Sequence, residues 1–527
     1  MEAEERAGTD HPAWYGAVAG FLAAAIALIF GEVVEAFSET IPGLVLGMGE
    51  WILDITPGEV AQESIENLGS SGKSSLIPGI TITALLLGAG LGYLSRRRSL
   101  WIGVAGFAAF GLLGGFTTAR NPQSPALASW FWAIVAALLG IGTLVLLLTR
   151  LHRPTRLAGV LEDPREKRPT RRAFLTWSAG AGAVAVTGMT VARAAEGTSA
   201  AEVARRELDF SGVTGTTTLP TGDPITPGSF DTVDGIARYI TPNDTFYRID
   251  TALSVPQVDP DSWSLSFTGM VDNPYSLTFE EILAMDLEEH VITLSCVSNN
   301  VGGGLVGNAK WAGVPLTRLL DEAGVQPGAE QVVGRSVDDW TAGFPLDVLA
   351  DGRNAMLAVA MNDEPLPIIH GFPARLVVAG LYGYVSAVKW VEEISLDTWD
   401  GFNGYWVPRG WSKLGPMKTA SRIDVPEPFS EIAAGATPVA GVAWSPPRGI
   451  SAVEISIDQG EWQRCEIAAP GSDETWVQWR TTWDATPGDH ILQVRAIDGA
   501  GDLQPIGPKA VAPDGAEGWH AIRVGVA

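Results

Sequence analysis

Five apolar runs in the first 195 residues constrain this chain more than anything else in it. They cover approximately 13–36, 76–94, 100–119, 126–149 and 173–192. Coiled as helices, each is long enough to cross about 30 Å of hydrocarbon. Short basic loops mark the cytoplasmic side of such a bundle. Arg96, Arg97 and Arg98 lie between the second and third runs, and a basic block from Arg150 to Arg172 lies between the fourth and fifth. The long loop after the first run carries Glu39, Glu50, Asp54, Glu59, Glu63 and Glu66 against Lys73. These placements agree only if the N-terminus is inside and everything after residue 192 is outside. The apolar stretch 41–57 is short and contains Glu50 and Asp54. It is expected to lie on the outer membrane face or to pack on the bundle.

The fifth run has a further signature. TRRAFL at 170–175 precedes a Gly/Ala-rich stretch and then ARAAEG. This resembles a twin-arginine export signal, which serves proteins folded before translocation; ordinary positive-inside anchoring by Arg171 and Arg172 accounts for the same residues. An A-x-A site at 192–194 leaves cleavage open. A haem held between helices needs inward-facing histidines. The six histidines are His11, His152, His290, His370, His490 and His520, none within a run, so the bundle reads as an anchor or docking unit. Glu32 and Glu35, near the outer end of the first run, are the ionisable candidates for function there. Snorkelling to the interface explains them equally well. The formal net charge of -25 argues against nucleic acid, whose phosphates demand Lys and Arg.

The texture changes after residue 195. Residues 196–237 read as a linker rich in Gly, Thr, Pro and Ser, opened by the charged AEVARREL. From 238 to 420 the pattern is α+β. WSLSFTGMV alternates as a strand, and LTFEEILAM is a short helix with Thr278 placed to cap it and Glu281 three residues on. HVITLSC is a strand, PLTRLLDEAGV a helix stopped by Gly324, and MLAVAMND and ARLVVAG are strands, the latter apolar enough to be buried on both faces. From 421 to 527 short alternating runs recur at regular spacing: VAGVAWS, AVEISIDQG, TWVQWRTTW and HILQVRAID. That spacing predicts a β-sandwich of immunoglobulin type.

Only two cysteines occur, Cys296 and Cys465. Cys465 falls among the sandwich strands and reads as a small buried hydrophobe. A bridge between the two is disfavoured, since a domain of this size needs no staple. Cys296 ends an apolar strand and precedes VGGGLVG. It has three readings: an inert core residue, a nucleophile beside a base, or a soft thiolate donor to a metal. A structural zinc site wants about three more Cys or His ligands, and none cluster nearby. A metal whose other ligands come from an organic cofactor stays open. His370, Arg375 and Lys389 lie in one segment, each next to an apolar run. Cations beside buried strands are costly unless an anion neutralises them; a bound phosphate or a structural salt bridge would serve.

TLSC followed by Asn, then KWAGVPLTRLLDEAG, then MNDEPLPIIHGFPARLVVAGLYGYVSAVKW, resembles the molybdopterin domain of the sulfite oxidase family over roughly 240–415. Residues 425–527 are similar to that family's β-sandwich domain. The bundle lies outside the resemblance. The resemblance implies a molybdenum cofactor, with Cys296 as the protein's thiolate ligand to the metal. It implies that His370, Arg375 and Lys389 hold the pterin and its phosphate, and that Asn243 and Asp338 are further pterin contacts. Sulfite-oxidising members carry two arginines just after the Cys-x-x-Asn; Asn300 and Val301 stand there instead. Pro242 replaces another arginine, with Arg248 nearby but out of register. A doubly charged oxyanion needs such donors, so the departure counts against sulfite and leaves the substrate open. The resemblance also points to Tyr405, with Arg409 close by, as lining the substrate pocket.

The expectation is therefore a multi-domain chain: an N-terminal all-α transmembrane bundle (1–195), an α+β molybdopterin domain and a C-terminal immunoglobulin-like β-sandwich. It would be a membrane-anchored, extracytoplasmic oxidoreductase transferring an oxygen atom to or from a small substrate. Two rivals stand beside it: a reductase of S- or N-oxides fed by quinol-derived electrons, and a metal-free cell-surface binding protein. The electron partner should be separate, because two cysteines cannot hold a four-cysteine cluster. A homodimer through the sandwich is implied by analogy with the family.

Overall fold

The computed structural model describes residues 13–38, 40–58, 60, 71–149, 171–195, 199–208, 228–469 and 471–527. The basic block 150–170, Glu39, Glu59, Glu63 and Glu66, and the linker's 209–227 lie outside the described residues. So do the side chains of Arg171, Arg172 and the A-x-A site. Two compact units are present. One comprises Met1–Thr56, Leu68–Ser199 and Ala252–Ser254; the other comprises Pro57–Asn67, Ala200–Thr251 and Val255–Ala527.

The first unit is helical: α1 (Trp14–Ala36), α2 (Leu44–Ile55), α3 (Ser71–Arg97), α4 (Leu100–Thr118), α5 (Ala126–Thr149) and α6 (Arg171–Ala195). Among the described residues, four segments are long and apolar enough to cross a membrane: α1, Ser75–Arg97 of α3, α4 and α5. The fifth expected run forms α6. Helices α1 and α3 approach backbone to backbone through Gly16-x-x-x-Gly20 and Gly88-x-x-x-Gly92. A methyl group added at Gly20 would lie 2.1 Å from the Gly88 carbonyl oxygen, and one at Gly92 would lie 2.2 Å from that of Gly16. Small residues at this spacing let helices meet where lipid offers no hydrophobic drive. The stretch 41–57 contains α2, which packs on the bundle. Its Val45 and Leu46 are buried, and a methyl at Gly47 would meet Thr118 at 2.9 Å. Glu35 accepts the Gly43 N–H at 3.0 Å. Gly43 is the N-cap of α2, so this carboxylate satisfies a helix N-terminus, where negative charge is favoured.

In the second unit the charged stretch expected to open the linker is instead a helix, α7 (Ala200–Glu207). Its Arg205 pairs with Glu364 at 3.2 Å and donates to the Leu366 carbonyl at 2.9 Å. Ten strands follow: β1 (Ser264–Gly269), β2 (Tyr275–Thr278), β3 (Glu288–Ser295), β4 (Val306–Pro315), β5 (Gln331–Ser336), β6 (Thr341–Pro345), β7 (Ala355–Met361), β8 (Glu364–Pro365), β9 (Arg375–Val378) and β10 (Val391–Asp397). They form two sheets, β2-β1-β10-β5-β6 and β3-β4-β7-β8, with β9 also paired to β7. Strands β7 and β9 are buried at every position, as their unbroken apolar runs require. Helix α8 (Phe279–Leu283) carries the complete Thr278/Glu281 capping box. Helix α9 (Leu316–Ala323) ends at Gly324, and α10 (Gly383–Ser386) precedes β10.

The C-terminal strands are β11 (Ala420–Val425), β12 (Glu431–Ile432), β13 (Gly435–Trp444), β14 (Ile450–Ile457), β15 (Gln463–Arg464), β16 (Glu466–Ile467), β17 (Val477–Ala485), β18 (Gly488–Asp498) and β19 (His520–Val526). They build two sheets, β11-β13-β17-β16 and β12-β19-β18-β14-β15. One core is shared between them, from Val439, Val477 and Trp479 on the first to Val453, Leu492 and Ile522 on the second. That is a two-sheet sandwich. Cys465 lies between β15 and β16 in this core, and both cysteines are free thiols.

Candidate active site

Strand β3 ends at Ser295, and Cys296 is the first residue of the loop to β4. Its N–H donates to the Leu305 carbonyl at 2.9 Å, across the loop base. Its Sγ accepts the Ser298 N–H at 3.4 Å. Burial pushes the thiol pKa up, opposed by the Ser298 hydrogen bond and by the charge of Lys389. Binding to a metal would take this proton off, because a coordinated thiol is a thiolate.

His370 closes the one-turn helix Ile368–His370, Arg375 opens β9, and Lys389 sits just before β10. Gly371 lets these three backbones converge: its φ is +113°, and a methyl there would crowd Arg375 Cβ and Lys389 Cα at 3.1 Å. The His370 Nε2 lies 3.2 Å from the Asn243 carbonyl oxygen, which places the proton on Nε2 and leaves Nδ1 an acceptor. That Nδ1 is buried and has no partner among the described residues. Burial, reinforced by Arg375 and Lys389, pulls the His370 pKa down to about 3. The ring is therefore neutral at physiological pH.

Arg375 is 4% exposed. Its guanidinium donates to the carbonyls of His370 (3.2 Å) and Leu376 (3.4 Å) and stacks 4.9 Å from the Trp311 ring centre. Among the described residues it has no carboxylate partner. Burial lowers its pKa to about 10. Lys389 Nζ pairs with Asp250 at 3.0 Å and donates to the Ile369 carbonyl at 3.2 Å. Burial brings Lys389 down to about 8, with Asp250 resisting. Asp250 also accepts Arg248 Nε at 2.9 Å. The salt-bridge reading thus holds for Lys389 and fails for Arg375.

The remaining expected residues distribute as follows. Asn243 holds His370 through its backbone carbonyl, while its side chain donates to the Met361 carbonyl (3.2 Å) and accepts from Asn362 (2.8 Å). Asp338 accepts the Trp340 N–H at 3.3 Å. Burial raises its pKa, and the nearby Asp250 adds to that rise. Tyr405 and Arg409 lie on the loop after β10 and stack on one another, the guanidinium 3.6 Å from the ring centre. The structure adds two residues that sequence reasoning passed over. Tyr247 is held well above the usual phenol range by burial and the nearby Cys296, with Arg375 opposing. Asp250 supplies the shared carboxylate. Both lie in FYRID, beside the Asn243 already singled out, so chain proximity was the available signal.

Would a molybdenum–pterin fit these residues? Among the described residues no group of three or more His, Cys, Asp or Glu converges, so Cys296 offers a single thiolate and the metal's other donors must come from the group itself. Arg375 and Lys389 present positive charge that one carboxylate does not balance, which suits a phosphate. The unpartnered Nδ1 of His370 is an acceptor ready for a ring N–H. The donor set fits.

The family described as "Oxidoreductase molybdopterin binding domain" matches residues 252–406. A curated Bacillus subtilis protein, "Uncharacterized oxidoreductase YuiH", is 35% identical over 157 residues, covering 30% of this chain and 76% of that protein. The chain belongs to the sulfite oxidase family. The molybdenum cofactor is the family's. The mitochondrial sulfite oxidases of Drosophila melanogaster and Homo sapiens are 29% and 27% identical over 321 and 342 residues. Those matches cover 51% and 54% of this chain but only 56% and 62% of the relatives' own length. Among solved structures, the sulfane dehydrogenase SoxCD of Paracoccus pantotrophus is similar at 25% identity, with a TM-score of 0.46, over 55% of this chain and 80% of that one. The matched family segment contains Cys296, Asp338, His370, Arg375, Lys389 and Tyr405; Asn243 and Arg409 fall just outside it.

Proposed function

We propose that this family member is a membrane-anchored, extracytoplasmic enzyme that moves one oxygen atom between water and a small substrate in two-electron steps. When bound, the molybdenum–pterin supplies the redox chemistry, and the protein orients it and tunes it. Cys296 provides the thiolate, and the Ser298 N–H aimed at its sulfur tunes that donor. Arg375 and Lys389 hold the phosphate, and neutral His370 accepts a pterin hydrogen bond. Asn243 positions His370. Asp338, whose carboxyl feels the charge of Asp250, is a further pterin contact. Tyr405 and Arg409, locked together by stacking, line the substrate pocket. The observation that carries this reading is Arg375: a buried guanidinium with no carboxylate partner among the described residues, whose cost an anionic cofactor would remove.

The four apolar helices and the acidic loop after the first support an anchored chain with residues after 195 outside. The regular strand spacing and shared two-sheet core support an immunoglobulin-type sandwich at 421–527, following a molybdopterin domain at 238–420 and a short linker before it. A separate electron carrier and a homodimer through the sandwich complete the reading. Asn300 and Val301, standing where arginines would bind an oxyanion dianion, favour a weakly charged substrate. That same departure favours a second reading, a reductase of S- or N-oxides; whether product gains or loses one oxygen separates the two. Metal and pterin analysis of the exported protein tests the whole proposal, alongside Cys296→Ser. The expected result is molybdenum in the parent and neither molybdenum nor turnover in the variant. A parent without metal, expressed where cofactor is made, would leave the binding-protein reading standing.

A further inference from the structure

The β3–β4 loop that begins with Cys296 is gripped from outside its own domain. Within the loop, Asn299 donates its N–H to the Cys296 carbonyl at 3.1 Å and accepts the Leu305 N–H on Oδ1 at 2.9 Å. Gly303 N–H donates to the Asn300 carbonyl at 2.8 Å. These bonds shape the loop but leave it attached only at its base. The sandwich supplies the rest. Arg422 on β11 donates through Nη1 to the Gly303 carbonyl at 2.9 Å. Its guanidinium is aimed by Asp424, 2.6 Å from Nε, and both side chains are largely buried, at 13% and 9% exposed.

His520, the first residue of β19, covers the same loop. Its Nδ1 accepts the Ile423 N–H at 3.0 Å, so the ring is fixed relative to β11. A methyl on Gly302 would lie 2.2 Å from that ring, and Gly302 has φ +75°; only glycine suits the place. Strand β3 is held by the sandwich too. Thr293 N–H donates to the Glu474 carbonyl at 3.0 Å, and its hydroxyl accepts the Trp476 N–H at 2.7 Å. The Glu474 carboxylate reaches on to Asn354 at 2.6 and 2.7 Å. The strand before the thiol and the loop after it are thus both fixed by one neighbouring domain.

We propose that the C-terminal sandwich positions the metal-ligating sulfur, with Arg422 and His520 as its positioning residues. They act through the loop that carries Cys296. The inference rests on Cys296 being the molybdenum ligand. Outer contacts of a metal ligand typically change affinity or activity by about 10–100-fold.

The test uses the full chain in detergent, purified with cofactor and, in parallel, from cells unable to make the pterin. Arg422→Gln removes the clamp. His520→Asn keeps an acceptor for Ile423 but removes the ring over Gly302, and it serves should Arg422→Gln fail to fold. Arg480→Gln, at an exposed pair with Glu466 in the same sandwich, is the folding control and should match the parent. In loaded protein, unchanged molybdenum content is expected with a shifted sulfur-to-molybdenum charge-transfer band and kcat lowered about tenfold. In cofactor-free protein, peptide mapping should show Cys296, but not Cys465, alkylated faster than in the parent. The proposal is overturned by a parental band and a parental alkylation rate in both variants. Equally fatal is activity lost only in step with metal, the band per molybdenum unchanged. If Cys296→Ser retains molybdenum, it is the ligand assignment that fails. The alkylation result in cofactor-free protein still reports whether the sandwich holds the loop.

Discussion

Replacing Arg375 with methionine should make the cofactor-free protein more stable and the cofactor-loaded protein unobtainable. Its pKa falls from the ordinary 12.5 to about 10. At about 1.4 kcal/mol per tenfold, burial of that charge costs the folded state roughly 3 kcal/mol. The sign follows from proton counts. A cation whose folded pKa is depressed destabilises fully below that pKa, so the whole cost is present at pH 7. Methionine removes the charge but forfeits the stacking on Trp311, worth about 1 kcal/mol, and the hydrogen bonds to the His370 and Leu376 carbonyls, together worth about 1 kcal/mol. The net gain is about 1 kcal/mol. For a unit of this size that is a rise of about 1–2 °C in Tm. Differential scanning calorimetry of full-length protein from cells unable to make the pterin measures it. Molybdenum analysis of the same variant made with cofactor gives the second half, an expected loss of bound metal. A variant that melts below the parent without cofactor, yet carries parental molybdenum, would refute the reasoning.

Other outcomes follow from the same arithmetic. His370 is neutral in the fold with a pKa of about 3 against the ordinary 6.5, so the unfolded state binds more protons between those values. Cofactor-free protein should therefore lose stability as pH falls from 6.5 to 3, by at most roughly 5 kcal/mol, and His370→Asn should flatten that part of a urea-midpoint profile. Lys310 is buried between Glu289, at 3.2 Å, and Asp363. Lys310→Met strands the Glu289 carboxylate and should cost about 3–5 kcal/mol in equilibrium unfolding. Thr278→Ala breaks the capping box of α8 and should cost about 1 kcal/mol, with no change in molybdenum content.

Local pattern made much of this protein legible in one dimension. Apolar runs of bilayer length became helices α1 and α3 to α5, because hydrogen bonding within a segment is a local matter. Thr278 and Glu281 announced their cap because its partners lie three residues apart. The unbroken apolar stretch of β9 announced burial on both faces. The Gly16/Gly20 and Gly88/Gly92 spacings were also written there, but their meaning depends on two helices meeting. Cys296, His370, Arg375 and Lys389 were singled out as residue types at odds with their apolar neighbours. What sequence left open was which charge has a partner. Lys389 meets Asp250, far away in the chain, while Arg375 meets none among the described residues, and only the folded packing of FYRID against β9 and β10 decides that. The grip of Arg422 and His520 on the cysteine loop has no local signature at all. A hydrogen bond between distant segments is set by how domains pack, and packing is a property of the assembled chain, not of any window along it.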